Sequence, residues 1–117
     1  MKLSKNSDSL KKYSDFKYVY DFGRSKANKY LVMYVCENQL SMNRLGISVS
    51  KKVGNSVVRH RLARLIRESY RLNEVVLSSG LDILVVARKS ASEVRYHEIE
   101  SAFMHLSKLH KITIRQQ

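Results

Sequence analysis

The chain has 117 residues, with 22 Lys and Arg against 10 Asp and Glu, a formal net charge of +12, and a single cysteine. That length suits one domain with a real core, spanning 1–117, and excludes a multi-step enzyme with its own substrate domain. An apolar content of 44% is ordinary for a folded protein, but the charge is not, and it points to a polyanionic partner.

Residues 1–9 are polar and expected to be flexible. The opening "MKLSKNSDSL" lacks a signal-peptide hydrophobic region, and no apolar run approaches the ~20 residues that span a bilayer, so a soluble, cytoplasmic protein is expected. Ser14-Asp15 can cap a first helix whose Phe16, Val19 and Tyr20 share a face before Gly23 ends it. "NKYLVMYVCEN" is rich in β-branched and aromatic residues and predicts a strand. Its Cys36 can form no internal disulfide and reads as a small buried hydrophobe, compatible with a reducing cytoplasm. "NRLGISVSKK" alternates Leu45, Ile47 and Val49 inward with Arg44, Gly46, Ser48 and Ser50 outward, and the intervening "QLSMN" suits a hairpin. After Gly80, "LDILVVARK" has the continuous apolar pattern of a strand covered on both faces. Tyr96, Ile99, Phe103, Leu106 and His110 mark a last helix. The sum is an α/β sandwich, a small sheet against helices.

Charge concentrates between these elements. The net is +4 for residues 1–43, +7 for 44–71 and +1 for 72–117. In "KKVGNSVVRHRLARLIRESYR", residues 51–71, a helix at roughly 100° per residue places Val58, Leu62, Leu65, Ile66 and Ser69 within an arc of about 100°. His60, Arg64, Arg67 and Arg71 fall within about 60° on the opposite side. A solvated face normally mixes signs, but only Glu68 offers a partner here, and like charges at these spacings repel. The face therefore reads as one half of a phosphate interface, with Arg able to engage two oxygens at once. Lys51, Lys52 and Asn55 stand at the helix N-terminus, which favours anions. Phe16 and Tyr20 share a helix face, and Tyr30 and Tyr34 a strand face. Such aromatics either pack a core or stack on the bases of a single strand. The histidines at 60, 97, 105 and 110 show no metal-ligand spacing, and there is no phosphate loop or nucleophile elbow.

"NRLGISVSKKVGNSVVRHRLARLIRESYR" resembles the core of the bacterial ribonuclease P protein subunit. The resemblance extends in order from "LKKYSDFKYVYDFG" through "SKANKYLVMYV" to "DILVVARKSA" and the last helix. It implies an αβββαβα fold with a small mixed sheet and a left-handed crossover, against the right-handed hand that chain geometry favours. It also implies a division of labour. A catalytic RNA would cleave precursor tRNA at its 5′ end with Mg²⁺, while the helix carrying Arg59, His60, Arg61, Arg64 and Arg67 lies on that RNA. A cleft containing Phe16, Tyr20, Ser25 and Tyr34 would receive the single-stranded 5′ leader. No catalytic residue is expected in the protein itself. Two positions depart from the family pattern: His60 stands where Asn is usual, and Ala63, where Lys is common, removes one phosphate contact. A ribosomal protein would share the charge but usually carries a longer basic tail. A DNA-binding regulator would need a helix and tight turn where "RLGISVS" reads as a strand.

Overall fold

The computed structural model describes residues 3–4 and 6–114. Its elements are β1 (Ser7–Ser9), α1 (Tyr13–Phe22), β2 (Arg24–Ala27), β3 (Leu31–Glu37), β4 (Asn43–Ser48), α2 (Ser56–Asn73), β5 (Leu81–Ala87) and α3 (Tyr96–Leu109). They build a five-stranded mixed sheet in the order β1-β4-β5-β3-β2. The expected αβββαβα sequence is present, with β1 added in front.

The position of β5 follows from its composition. Its run of apolar side chains is buried almost throughout, so it takes the centre, antiparallel to β3 and parallel to β4. That arrangement overturns the hairpin expected at "QLSMN": β3 and β4 flank β5 and do not pair with each other. Asn38 and Gln39 make a wide bend there instead. The Asn38 side chain accepts from the Leu40 N–H at 2.8 Å, and Gln39 is left-handed, with φ 61°. The true hairpin joins β2 to β3, where Asn28 Oδ1 accepts from the Tyr30 and Leu31 N–H groups. Residues 1, 2 and 5 of the expected flexible segment lie outside the described residues. Ser7–Ser9, by contrast, pair in parallel with Asn43–Leu45.

α1 also starts earlier than Ser14-Asp15 suggested. Lys12 is its N-cap, without a side-chain cap, and Asp15 sits in the first turn, where it complements the helix dipole. Gly23 ends it as expected, but for space rather than conformational freedom. Its φ is −74°, and a Cβ there would lie 2.5 Å from the Val19 carbonyl oxygen.

α2 and α3 cover one sheet face. Leu62, Ile66 and Tyr70 meet Ile99, Phe103 and Leu106 over Leu31, Met33, Val35, Ile83 and Val85, with the Tyr70 and Phe103 rings edge to face at 6.3 Å. The other face carries only α1, which packs Val19 and Phe16 against Leu10, Leu84, Tyr34 and Val86. Gly46, expected to point outward, lies under this helix: a Cβ would come within 2.8 Å of both Leu10 and Phe16. One helix cannot cover five strands, so part of this face stays open. Cys36 lies on it and is only half-buried.

Two polar networks brace the sheet. Asp82 is buried and accepts from Arg44 Nε at 2.8 Å, Arg44 Nη2 at 2.6 Å and Asn38 Nδ2 at 2.9 Å. Tyr70 donates its hydroxyl proton to Ser7, which in turn donates to Glu74, so β1 is tied to the end of α2.

His110, at the end of the α3 stripe, is buried, capping α3 and hydrogen-bonded through Nε2 to the Met33 carbonyl at 2.9 Å. Its Nδ1 is buried without a partner among the described residues. Burial, with Arg24 and Lys26 nearby, pushes its pKa below the usual histidine value. The unfolded chain therefore takes up a proton that the native state resists, and stability is lost as pH falls below about 6.5. Melting curves at pH 7.5 and 5 are expected to show a smaller acid-induced drop for His110→Gln than for the parent chain.

Candidate nucleic-acid interface

The basic helix begins at a defined cap. Asn55 Oδ1 accepts from the Val58 N–H at 3.0 Å, so this oxygen serves α2 and only the amide nitrogen faces outward chemistry. Lys51 and Lys52 lie in the preceding turn, both exposed. The buried residues of α2 are Leu62, Ile66, Ser69 and Tyr70, while His60, Arg64 and Arg67 are exposed and make no ion pair among the described residues. Arg71 is exposed too, but its guanidinium is engaged by Glu68.

The two arginines flanking this face behave differently from it. Arg59 is half-buried. Arg61, expected on the RNA side, donates Nη1 to the Val94 carbonyl at 2.8 Å and Nη2 to the Ser92 carbonyl at 2.6 Å. Its guanidinium thus docks the segment after β5 onto α2. The free cationic face is narrower than the motif suggests and centres on His60, Arg64 and Arg67.

Ala63 lies between Arg59 and Arg67 around the helix and is partly exposed. If phosphates approach here, Ala63→Lys adds a contact and tightens RNA binding. The slope of log affinity against log salt is then expected to steepen by up to about one unit, through one more released counterion. An unchanged slope in a salt titration would place RNA elsewhere.

On the opposite sheet face, α1 and the open strands form a shallow cleft of about 330 Å³ lined by Tyr13, Phe16, Lys17, Tyr20, Asp21, Ser48, Leu84 and Val86. Tyr34 lies beside the cleft and packs against Tyr20, the ring centroids 5.0 Å apart and tilted by 36°. In the ladder Tyr34 pairs with Ser25 on one side and Leu84 on the other, so of the four expected cleft residues Phe16 and Tyr20 line the cleft while Ser25 and Tyr34 stand in the strands beside it. Burial and the neighbouring Tyr20 push the Tyr34 phenol upward, keeping it neutral and available as a hydrogen-bond donor. Tyr13, 81% exposed on the cleft rim, was missed, although its spacing from Phe16, Lys17 and Tyr20 was a readable stripe.

Tyr30 does not join them. The regular strand starts only at Leu31, and the bend before it sends Tyr30 to the α3 side, where it packs against the main core and lines a groove with Asn28, His97, Ser101 and His105. Alternation cannot be extended through a bend, which is why sequence parity placed it wrongly.

Among the described residues no three His, Cys, Asp or Glu side chains group as a metal ligand set. Asp82 is already bound by Arg44 and Asn38, and Glu68 by Arg71. One surface is cationic and the other aromatic, and they approach each other at the β1–β4 edge, where Arg67 and Phe16 line one small pocket.

These features define a mixed α/β domain with a cationic helix face on one side of its sheet and an aromatic cleft on the other. The family model for ribonuclease P matches residues 4–111. The chain is 68% identical over 106 residues to the ribonuclease P protein component of Lachnoclostridium phytofermentans, covering 91% of each. It is 51% identical over 107 residues to that of Alkaliphilus metalliredigens, covering 92% of this chain and 96% of the relative. Among solved structures, the Staphylococcus aureus RNase P protein superposes with a TM-score of 0.82 at 36% identity, over 93% of this chain and 98% of that one. The Thermotoga maritima RNase P protein gives 0.80 at 32%, over 86% and 96%. The chain belongs to the ribonuclease P protein family.

Proposed function

We propose that this chain acts in the cytoplasm as the protein subunit of ribonuclease P, assisting a catalytic RNA in the Mg²⁺-dependent endonucleolytic removal of the 5′ leader from precursor tRNA. The exposed face of α2, with Lys51 and Lys52, binds the RNA subunit; the cleft under α1 holds the leader. The observation that supports this reading is an unpaired cationic helix face on one side of the sheet and an aromatic cleft on the other, the two meeting at the β1–β4 edge, where Arg67 and Phe16 line one small pocket. A protein with that layout can touch two nucleic acids at once, neutralising phosphates on one while stacking on the bases of the other. Hydrolysis is assigned to the RNA and its Mg²⁺, and this chain's own residues bind, orient and neutralise. No helix among the described residues is long and apolar enough to cross a membrane.

The test is reconstitution. Precursor tRNA and Mg²⁺ are incubated with rigorously RNA-free protein, with a ribonuclease P RNA at limiting Mg²⁺, and with both. Cleavage at the tRNA 5′ end is expected from the combination at Mg²⁺ levels where the RNA alone is slow, and not from the protein. Site-specific cleavage by the RNA-free protein would move the active site onto this chain.

A further inference from the structure

The groove that takes Tyr30 lies one step beyond the end of the cleft. On the α1 face the cleft lies over Leu84, Val86 and Ser48, in the ladder rows Ser25–Tyr34–Leu84 and Ala27–Val32–Val86–Ser48. The next pair is Leu31–Ala87, and then the Arg88 N–H donates to the Tyr30 carbonyl at 2.8 Å, closing the end of the sheet. Four residue steps lead from Tyr34 back to Tyr30, roughly 13 Å of strand.

Around that end, the Tyr30 groove has a volume of about 400 Å³, the size of a small-ligand cleft. Its loop is held in place. Asn28 Nδ2 donates to the Ala102 carbonyl at 2.9 Å and lies 3.1 Å from His105 Nδ1, Arg88 Nη1 donates to the Asn28 carbonyl at 2.9 Å, and the Ser90 hydroxyl donates to the Lys29 carbonyl. With Nδ1 accepting from Asn28, the His105 proton sits on Nε2 and remains available as a donor. Lys29 Nζ lies over the Tyr30 ring, 5.4 Å from its centroid, so this ammonium covers a ring face in the empty groove and has to swing from the ring to a phosphate when a base stacks there. Lys26 and Lys29 are exposed and form no ion pair among the described residues. The groove's one acid, Glu98, already accepts from the Arg95 N–H at 3.0 Å and lies 3.8 Å from His97. An aromatic plate, a fixed donor and unpaired ammonium groups are what an unpaired nucleotide needs.

We propose that the groove between Tyr30 and α3 is a second nucleotide site, which seats an unpaired base of the leader after the strand leaves the cleft and turns round the end of the sheet, with Lys29 beside its phosphate. This rests on the cleft holding the leader. Leaders too short to round the sheet end do not reach the groove, and longer ones do.

The experiment measures affinity of the reconstituted holoenzyme for precursor tRNAs with leaders from zero to about fifteen nucleotides. Two rises with length are expected, the second about five- to tenfold, the low end for one base stack. Tyr30→Ala and Lys29→Glu are expected to remove the second rise and leave the first, while Tyr34→Ala removes the first. Tyr30→Phe, which keeps the ring, should retain both. Because Tyr30 also packs on the core, the exposed Lys29→Glu is the deciding variant if Tyr30→Ala proves unstable. A second rise that is absent from the parent holoenzyme, or that survives Lys29→Glu, overturns the site while the cleft reading stands. A missing first rise overturns the cleft reading itself and the proposal with it.

Discussion

Asp82→Ala is expected to destabilise the fold by roughly 3 kcal/mol, among the largest effects of any single polar change in this chain. Removing one partner of a buried ion pair costs about 3–5 kcal/mol because the other charge is left without compensation. Here the orphan would be Arg44, which loses both of its short N–H donations, and Asn38 loses a third. Arg44 keeps some access to water, its side chain being 28% exposed, and has Asp15 at 3.7 Å, so the low end of that range applies. Asp82→Asn keeps an acceptor oxygen and is expected to cost less. Urea denaturation of the two variants, with Arg44→Met and the double replacement completing a cycle, reads the coupling directly. A loss under about 1 kcal/mol for Asp82→Ala would mean that the pair is effectively solvent-screened and that the β4–β5 register rests on apolar packing alone.

Tyr34→Ala is expected to erase most of the advantage of leader-bearing over mature tRNA while leaving protein–RNA association intact. A lost base stack of ~1–3 kcal/mol, about 5- to 150-fold in affinity, is felt only when there is a base to stack. Arg64→Ala should do the reverse, weakening association with the RNA subunit whatever the substrate, since a phosphate contact carries no information about a leader. Binding of protein to RNA alone, then of the assembled complex to tRNA with and without leader, separates the two. Equal weakening of both tRNAs by Tyr34→Ala would mark this ring as packing for Tyr20 and α1 rather than as a binding surface.

The parts of the structure that could be read from sequence are those where periodicity and burial coincide. The apolar run of β5, the two faces of α2 and the stripe of α3 all stand where spacing put them, because each buries a continuous surface. Strand pairing was less legible. Nothing local in Leu31–Glu37 and Asn43–Ser48 says that they avoid each other; that depends on β5 entering between them from far along the chain. Ser7–Ser9 has no strand-like composition at all and is held by the β4 edge and by Tyr70 and Glu74. Of the candidate interface, Phe16 and Tyr20 line the cleft, as their shared helix face predicts, while Ser25 and Tyr34 lie in the strands beside it. Arg61 was counted with its neighbours, although on a helical wheel it falls only about 40° from Leu65, at the margin of the buried arc. Its partners Ser92 and Val94 are backbone carbonyls, which no side-chain pattern announces.

A sheet's outermost strands offer unpaired N–H and C=O groups to any other chain, and an aggregation-prone protein is often one that leaves them unguarded. The two margins of this sheet are protected by different means. On one side β1 caps the edge of β4 with three residues, too short to recruit a further strand readily. On the other, β2 is exposed at every position, but it is only four residues long and carries Arg24 and Lys26, so a second copy meets like charge as it approaches. The small leading strand therefore doubles as a shield against self-association, in a molecule whose surplus of positive charge already keeps copies apart.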